Sequence, residues 1–193
     1  MITVCIEGID FSGKSTQCAL LEEHLRGTGK KVKVVHFPRY ETPVGALIKQ
    51  WLAGEVDLTD NAAHLLYEAD RYDFIKELEE YEKELDYLIL DRFTLSNLAY
   101  MTGKGIDTQL LADLQKGLTS PDVTFVLDLP LHVYIQRSKD ADRLERDFEY
   151  TNRVRKAYKL FSNDSTFLLD ASKASPEQLN ESIVNFIELY VTE

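Results

Sequence analysis

The chain has 193 residues, 44% hydrophobic and 28% charged, enough for one domain with a proper core and too apolar for disorder to be the default. A formal net charge of −11 argues against a polynucleotide partner, which needs a basic face, but not against a small anion held by a local arginine cluster. No signal-peptide pattern and no apolar run long enough for a bilayer stand out, so a cytoplasmic location with no membrane partner is expected.

Ile2 to Ile6 is apolar and β-rich, the first expected strand. Gly8-Ile9-Asp10-Phe11-Ser12-Gly13-Lys14-Ser15 follows, with Thr16 behind it, and reads G-x-x-x-x-G-K-S. A helix over Ser15 to Leu25 comes next, with Cys18, Leu21 and Leu25 at helical spacing. Strand, glycine loop and helix together make a P-loop: main-chain N–H groups turn toward an anion and the helix adds its positive end. Lys14 is expected at the β- and γ-phosphates and Ser15 on Mg²⁺. Cys5 and Cys18 read as small core residues, and the four histidines have no ligand-like spacing.

Val32 to Phe37 predicts a second strand, broken by Pro38 in Phe37-Pro38-Arg39-Tyr40. Thr42-Pro43 opens a helix through Trp51, and a longer one starts near Thr59. That helix has an acidic tail, Glu77 to Asp86, which reads as a solvated face. Tyr87 to Asp91 is an apolar strand ending in a carboxylate, a Walker B-like strand whose aspartate should lie near the metal. Helices over Leu95 to Met101 and Thr108 to Leu118, then a strand over Asp122 to Leu129, come next. A helix from Leu131 leads to a charged segment holding Arg137, Arg143, Glu145 and Arg146. A helix through Phe161, a strand over Thr166 to Leu169 and a helix from Ser175-Pro176 close the chain. Alternating strands and helices predict an α/β three-layer sandwich, a five-stranded parallel sheet covered on both faces, in one domain over 1–193. Ligands of such sheets gather at the carboxyl ends of strands, where Arg39, Asp91 and Arg92 should meet the P-loop, with Phe37, Tyr40, Tyr67 and Tyr100 adjoining. Paired guanidinium groups there would suit a phosphate acceptor.

In order and spacing these segments resemble the thymidylate kinases over nearly the whole chain. Glu7 to Thr16 looks like that family's phosphate loop and Phe37-Pro38-Arg39-Tyr40 like its F-P-R segment. Leu65-Leu66-Tyr67-Glu68-Ala69-Asp70-Arg71 is similar to its L-L-F-x-A-x-R helix. Asp91-Arg92-Phe93, followed by Ser96-Asn97-Leu98-Ala99-Tyr100, is close to its D-R-Y-x-x-S-x-x-A-Y. Asp142 to Glu145 fits its mobile lid (about 137–147) and Asp170 to Lys173 its adenine-side loop.

The resemblance implies phosphoryl transfer from ATP to dTMP with Mg²⁺, in a homodimer with a P-loop NTPase fold. It implies that Gly8, Asp10, Phe11, Ser12, Gly13, Lys14, Ser15 and Thr16 hold ATP phosphates, and that Arg137, Ala171 and Ser172 form the adenine pocket. Asp10 would contact the sugar 3′-hydroxyl of dTMP, Tyr67 would stack on thymine and Arg71 would reach a base oxygen. Asn97 would read the base edge and Tyr100 would crowd the 2′ position, with Phe37 and Tyr40 beside them. Arg39 and Arg92 would hold the acceptor phosphate. Asp91 and Glu145 would organise Mg²⁺ together with Ser15. Some members carry a catalytic arginine in the loop; here Phe11 and Ser12 stand there, so Arg143 of the lid joins Lys14, Asp91 and Arg92 as the catalytic set. A kinase for another nucleotide or a nucleoside, and a non-catalytic nucleotide-binding switch, remain the alternatives.

Overall fold

The strands are short and nearly all apolar, as strands covered on both faces must be. The computed structural model describes residues 1–138 and 147–192. Its strands are β1 (Ile2–Glu7), β2 (Val32–His36), β3 (Tyr87–Asp91), β4 (Val123–Asp128) and β5 (Thr166–Asp170). They pair in parallel in the order β2-β3-β1-β4-β5, with β1 in the centre. The register sets Asp91 beside both Ile6 and His36, so β1, β2 and β3 end level and deliver their following residues to one place.

Alternate side chains go to opposite faces of the sheet. Val4, Ile6 and Ile89 join Cys18 and Leu21 of α1 (Lys14–Gly27) and Ile183 and Ile187 of α8 (Pro176–Thr192) in the larger core cluster. Cys5, Leu88 and Leu90 point the other way, onto Phe37, Phe93 and Phe74 of α3 (Asp60–Glu84). A fully buried aliphatic side chain of this size contributes about 1.5–3 kcal/mol, so both helical layers stabilise the sheet between them. Both cysteines are buried and free, and burial is the main cause that pushes their thiols well up.

The remaining helices are α2 (Pro43–Leu52), α4 (Thr94–Gly103), α5 (Gln109–Gln115), α6 (Leu131–Arg137) and α7 (Phe148–Leu160). Helix starts follow local chemistry. Thr42 accepts from Gly45 N with Pro43 at the first position, and Thr59 accepts from Ala62 N. At α8, Gln178 N donates to Ser175 Oγ while Ser175 N donates to Gln178 Oε1, a reciprocal cap. The strands expected through Phe37 and Leu129 end one residue early, at His36 and Asp128, two residues before prolines that have no N–H to give the ladder. Of the expected lid, Arg143 and Glu145 lie outside the described residues. The acidic tail of α3 is not all solvated face, because Glu77 accepts from the buried Arg39.

Candidate active site

The phosphate loop takes its shape from two glycines. Gly8 has φ +141, and a Cβ there would lie 2.7 Å from the Leu127 carbonyl oxygen of β4. Gly13 has φ +95 and opens α1, which starts at Lys14. Phe11 takes the left-handed φ of 59, its ring edge-on to Tyr134. Such a backbone costs a non-glycine residue about 1–2 kcal/mol, and strain of this kind collects where backbone N–H groups must be aimed. Ser12 is 2% exposed and its hydroxyl has no partner among the described residues, a polar group suited to an incoming oxygen. Lys14 Nζ donates to Ile9 O at 2.8 Å. Burial first, then Arg92, pulls the Lys14 ammonium down to about 8.

Beside the loop, Ser15 Oγ donates to Asp91 Oδ2 at 2.8 Å, and His36 Nδ1 lies 3.1 Å from the same oxygen. Ser15 is exposed and Asp91 buried, so the hydroxyl–carboxylate pair sits at the mouth of the crevice. Two hard oxygen donors of this kind suit Mg²⁺.

Arg92 joins the loop to the next region. It follows β3 with φ 69. Its Nη1 donates to Gly8 O at 2.9 Å, its Nη2 bonds Asp10, and its guanidinium lies over the Tyr100 ring at 5.4 Å. Tyr100 OH donates to the other Asp10 oxygen at 3.1 Å. Burial alone would raise Asp10, but Arg92 and Lys14 outweigh it and hold the carboxyl below its usual range.

Underneath, Glu7 is completely buried, and nothing in the sequence beyond its place before Gly8 marks it. Its carboxylate accepts from Phe93 N and Ser96 N at the start of α4, from Ser96 Oγ, and from Tyr158 OH at 3.2 Å. A carboxylate at a helix N-terminus is favoured by the dipole and by the orphan N–H groups. Burial, then Glu7, pushes the Tyr158 phenol well up, so it stays a donor and also bonds Gly8 O.

Other expected residues divide. Tyr67 is half-buried, Tyr100 meets Tyr150 edge-on at 6.3 Å, and Tyr40 is exposed. Burial pushes the Tyr67 phenol up first, with the Tyr40 hydroxyl next. Tyr150, on α7, was not singled out from sequence. Arg71 donates to Tyr67 O and Phe93 O, and its Nε has no partner among the described residues.

Arg39 is corrected. It is 2% exposed and its Nε donates to Asp70 Oδ1 at 2.9 Å, while its two Nη atoms bond Asp70 O, Asp73 and Glu77. With its fork taken up by α3, it is not free in this structure to hold an acceptor phosphate. Asn97 is corrected too. Its amide is bonded by His64 Nδ1 at 2.6 Å, His64 O and Glu68 Oε1, so it is not free here to read a base edge. Phe37 is a core ring, edge-on to Phe74 and Phe93.

On the far side, Arg137 Nη1 donates to Phe11 O at 3.1 Å and Nη2 to Ala171 O at 3.0 Å, tying the phosphate loop to the loop after β5. Ala171 is buried there and Ser172 donates to Asp170. Asp128, at the end of β4, is paired by Arg155 and Lys159 of α7; burial would raise it, but these cations hold it below its usual range. Sequence gave no sign of that trio.

Comparison with known proteins gives the family. The thymidylate kinase family model matches residues 6–183. The chain is 33% identical over 174 residues to the thymidylate kinase of Arabidopsis thaliana, covering 90% of this chain and 66% of that one. It is 32% identical over 198 residues to that of Halothermothrix orenii, covering 96% and 95%. The structure of the Candida albicans thymidylate kinase superposes with a TM-score of 0.81 at 28% identity, covering 98% of this chain and 92% of that one. A P-loop whose Gly8 and Asp10 are bonded by an arginine lying over a tyrosine ring, in a chain matched from residue 6 to residue 183, places this protein in the thymidylate kinase family.

Proposed function

We propose that the chain transfers the γ-phosphoryl group of ATP to dTMP, giving ADP and dTDP. The observation that supports this best is Arg92. It follows β3 and bonds the phosphate loop at both Gly8 O and Asp10, so we read its guanidinium as the group that meets an acceptor phosphate brought against the loop. The acceptor oxygen already belongs to a phosphate, so no strong base is needed and catalysis is positioning plus charge neutralisation.

Lys14 and the loop N–H groups hold the β- and γ-phosphates, and Arg137 with Ala171 and Ser172 borders the adenine. Asp10 takes the sugar 3′-hydroxyl, Tyr67 stacks on the base, and the unpartnered Arg71 Nε is the group left for a base oxygen. Tyr100, fixed on Asp10, crowds the 2′ position. Ser15 and Asp91 would hold Mg²⁺, which would supply charge neutralisation at the phosphates. From sequence, Arg143 is the lid cation that meets the transferring group, and Glu145 assists at the metal.

No helix of the described residues is long and apolar enough to cross a membrane. A cytoplasmic homodimer is the form we propose, and light scattering on the purified chain tests its size. The activity is tested by steady-state rates with ATP and dTMP, dUMP, dCMP, dGMP or thymidine. Highest kcat/KM for dTMP is expected. Preference for thymidine would show that Arg92 does not hold an acceptor phosphate.

A further inference from the structure

His36 is the last residue of β2 and lies in register beside Asp91, the last residue of β3. Its place in the sequence says nothing about this, because the pairing crosses 55 residues. The Asp91 side chain is 8% exposed, while that of His36 is 60% exposed and has one polar partner among the described residues, Asp91 Oδ2. An ionised carboxylate oxygen only accepts, so the imidazole donates from Nδ1 and leaves Nε2 bare. The same Oδ2 accepts from Ser15 Oγ at 2.8 Å. Oδ2 therefore carries two side-chain donors, and Oδ1 carries none among the described residues.

Two donors converging on one oxygen fix the plane of a carboxylate; one donor would let it swing. We propose that His36 is a positioning residue of the divalent-cation site: it holds Asp91 by Oδ2 so that Oδ1 is presented to the cation or its water. This rests on the reading that Ser15 and Asp91 hold the cation. A mere surface pair would contribute little to stability and nothing to metal binding. Partners that orient a metal-binding carboxylate instead change metal affinity by about 10–100-fold.

The test uses Mn²⁺ as probe with the full chain and a non-hydrolysable ATP analogue, free Mn²⁺ being read by electron paramagnetic resonance. His36→Ala should weaken Mn²⁺ binding by the enzyme–analogue complex about tenfold or more. Analogue affinity in EDTA and melting temperature should stay at wild-type values, since the ring is exposed. His36→Asn, which keeps a donor near Oδ2, should restore part of the loss. Unchanged Mn²⁺ affinity in His36→Ala overturns the proposal, and so does an equal loss of analogue affinity in EDTA, which would mean a general disturbance of the loop. If the wild-type complex holds Mn²⁺ no more tightly than the analogue alone, the reading of Ser15 and Asp91 fails and takes the proposal with it.

Discussion

Arg39 and Arg92 start from the same position in the fold. Each stands just beyond the carboxyl end of a strand, β2 and β3, and these strands are neighbours in register. Their surroundings then part. The Arg39 guanidinium is sealed among Asp70, Asp73 and Glu77 of α3, over the rings of Phe37 and Phe74. Arg92 has one carboxylate, Asp10, with the carbonyl of Gly8 and the hydroxyls of Ser96 and Tyr158, and its side chain is 16% exposed at the mouth of the phosphate loop. A strand end brings a side chain to the crevice, but its partners decide whether it works there. In Arg39 the charge is spent on holding α3 to the β2–α2 turn. In Arg92 the charge is left partly free beside phosphate-binding groups.

The sharpest way to break that comparison is to remove Arg39. Arg39→Ala leaves the 1% exposed Asp70 carboxylate without its cation, and a broken buried pair costs about 3–5 kcal/mol. Asp73 and Glu77 are 38% and 43% exposed, so their share is small. Denaturant unfolding should show the loss, with kcat/KM for dTMP per folded molecule little changed. A large drop in kcat/KM with normal stability would return Arg39 to the substrate side.

Arg92→Ala should do the reverse. Loss of one charged donor aimed at the reacting phosphates costs about 10²–10³ in kcat. Thermal unfolding should move little, because its ion pair is with an Asp10 side chain that is 46% exposed. Rates at saturating ATP and dTMP decide it.

Lys14 sharpens the comparison through pH. Its ammonium is pulled down to about 8 in the folded chain, and a triphosphate favours the charged form. Between about 8 and the higher value in the complex, the complex therefore holds more protons than the free protein. The sign follows: affinity for an ATP analogue falls as pH rises through about 8, by up to about tenfold per pH unit. Binding calorimetry from pH 7 to 9.5 should show this together with proton uptake, and Lys14→Arg should remove the step near pH 8.

The smallest effect concerns backbone. At φ 69 an alanine retains the cost of a Cβ in the left-handed region, which glycine avoids. Arg92→Gly should be about 1 kcal/mol more stable than Arg92→Ala, while both lose activity alike. Equal stability in urea would mean that the strain at this position is relieved elsewhere.

What the sequence determined by itself is what is written within a few contiguous residues. The phosphate loop is one stretch whose glycines, lysine and serine act through their own backbone, so Gly8 to Thr16 carries its chemistry in order. Thr42, Thr59 and Ser175 cap helices that begin one residue later, again a local matter. Asp91 is a carboxylate ending an apolar strand, and Arg92 follows it. Tertiary structure alone decided the partners. Glu7 meets Tyr158, 151 positions away, because the end of β1 faces α7. Asn97 turned to His64 and Glu68 on one side of α3, and Arg39 to Asp70, Asp73 and Glu77 on the other, because α3 packs between α4 and the turn after β2. His36 meets Asp91 only through the register of β2 on β3. A side chain's type sets which bonds it makes. The packing of distant elements sets whether substrate or protein receives them, since a buried polar group is bonded by whatever lies nearest.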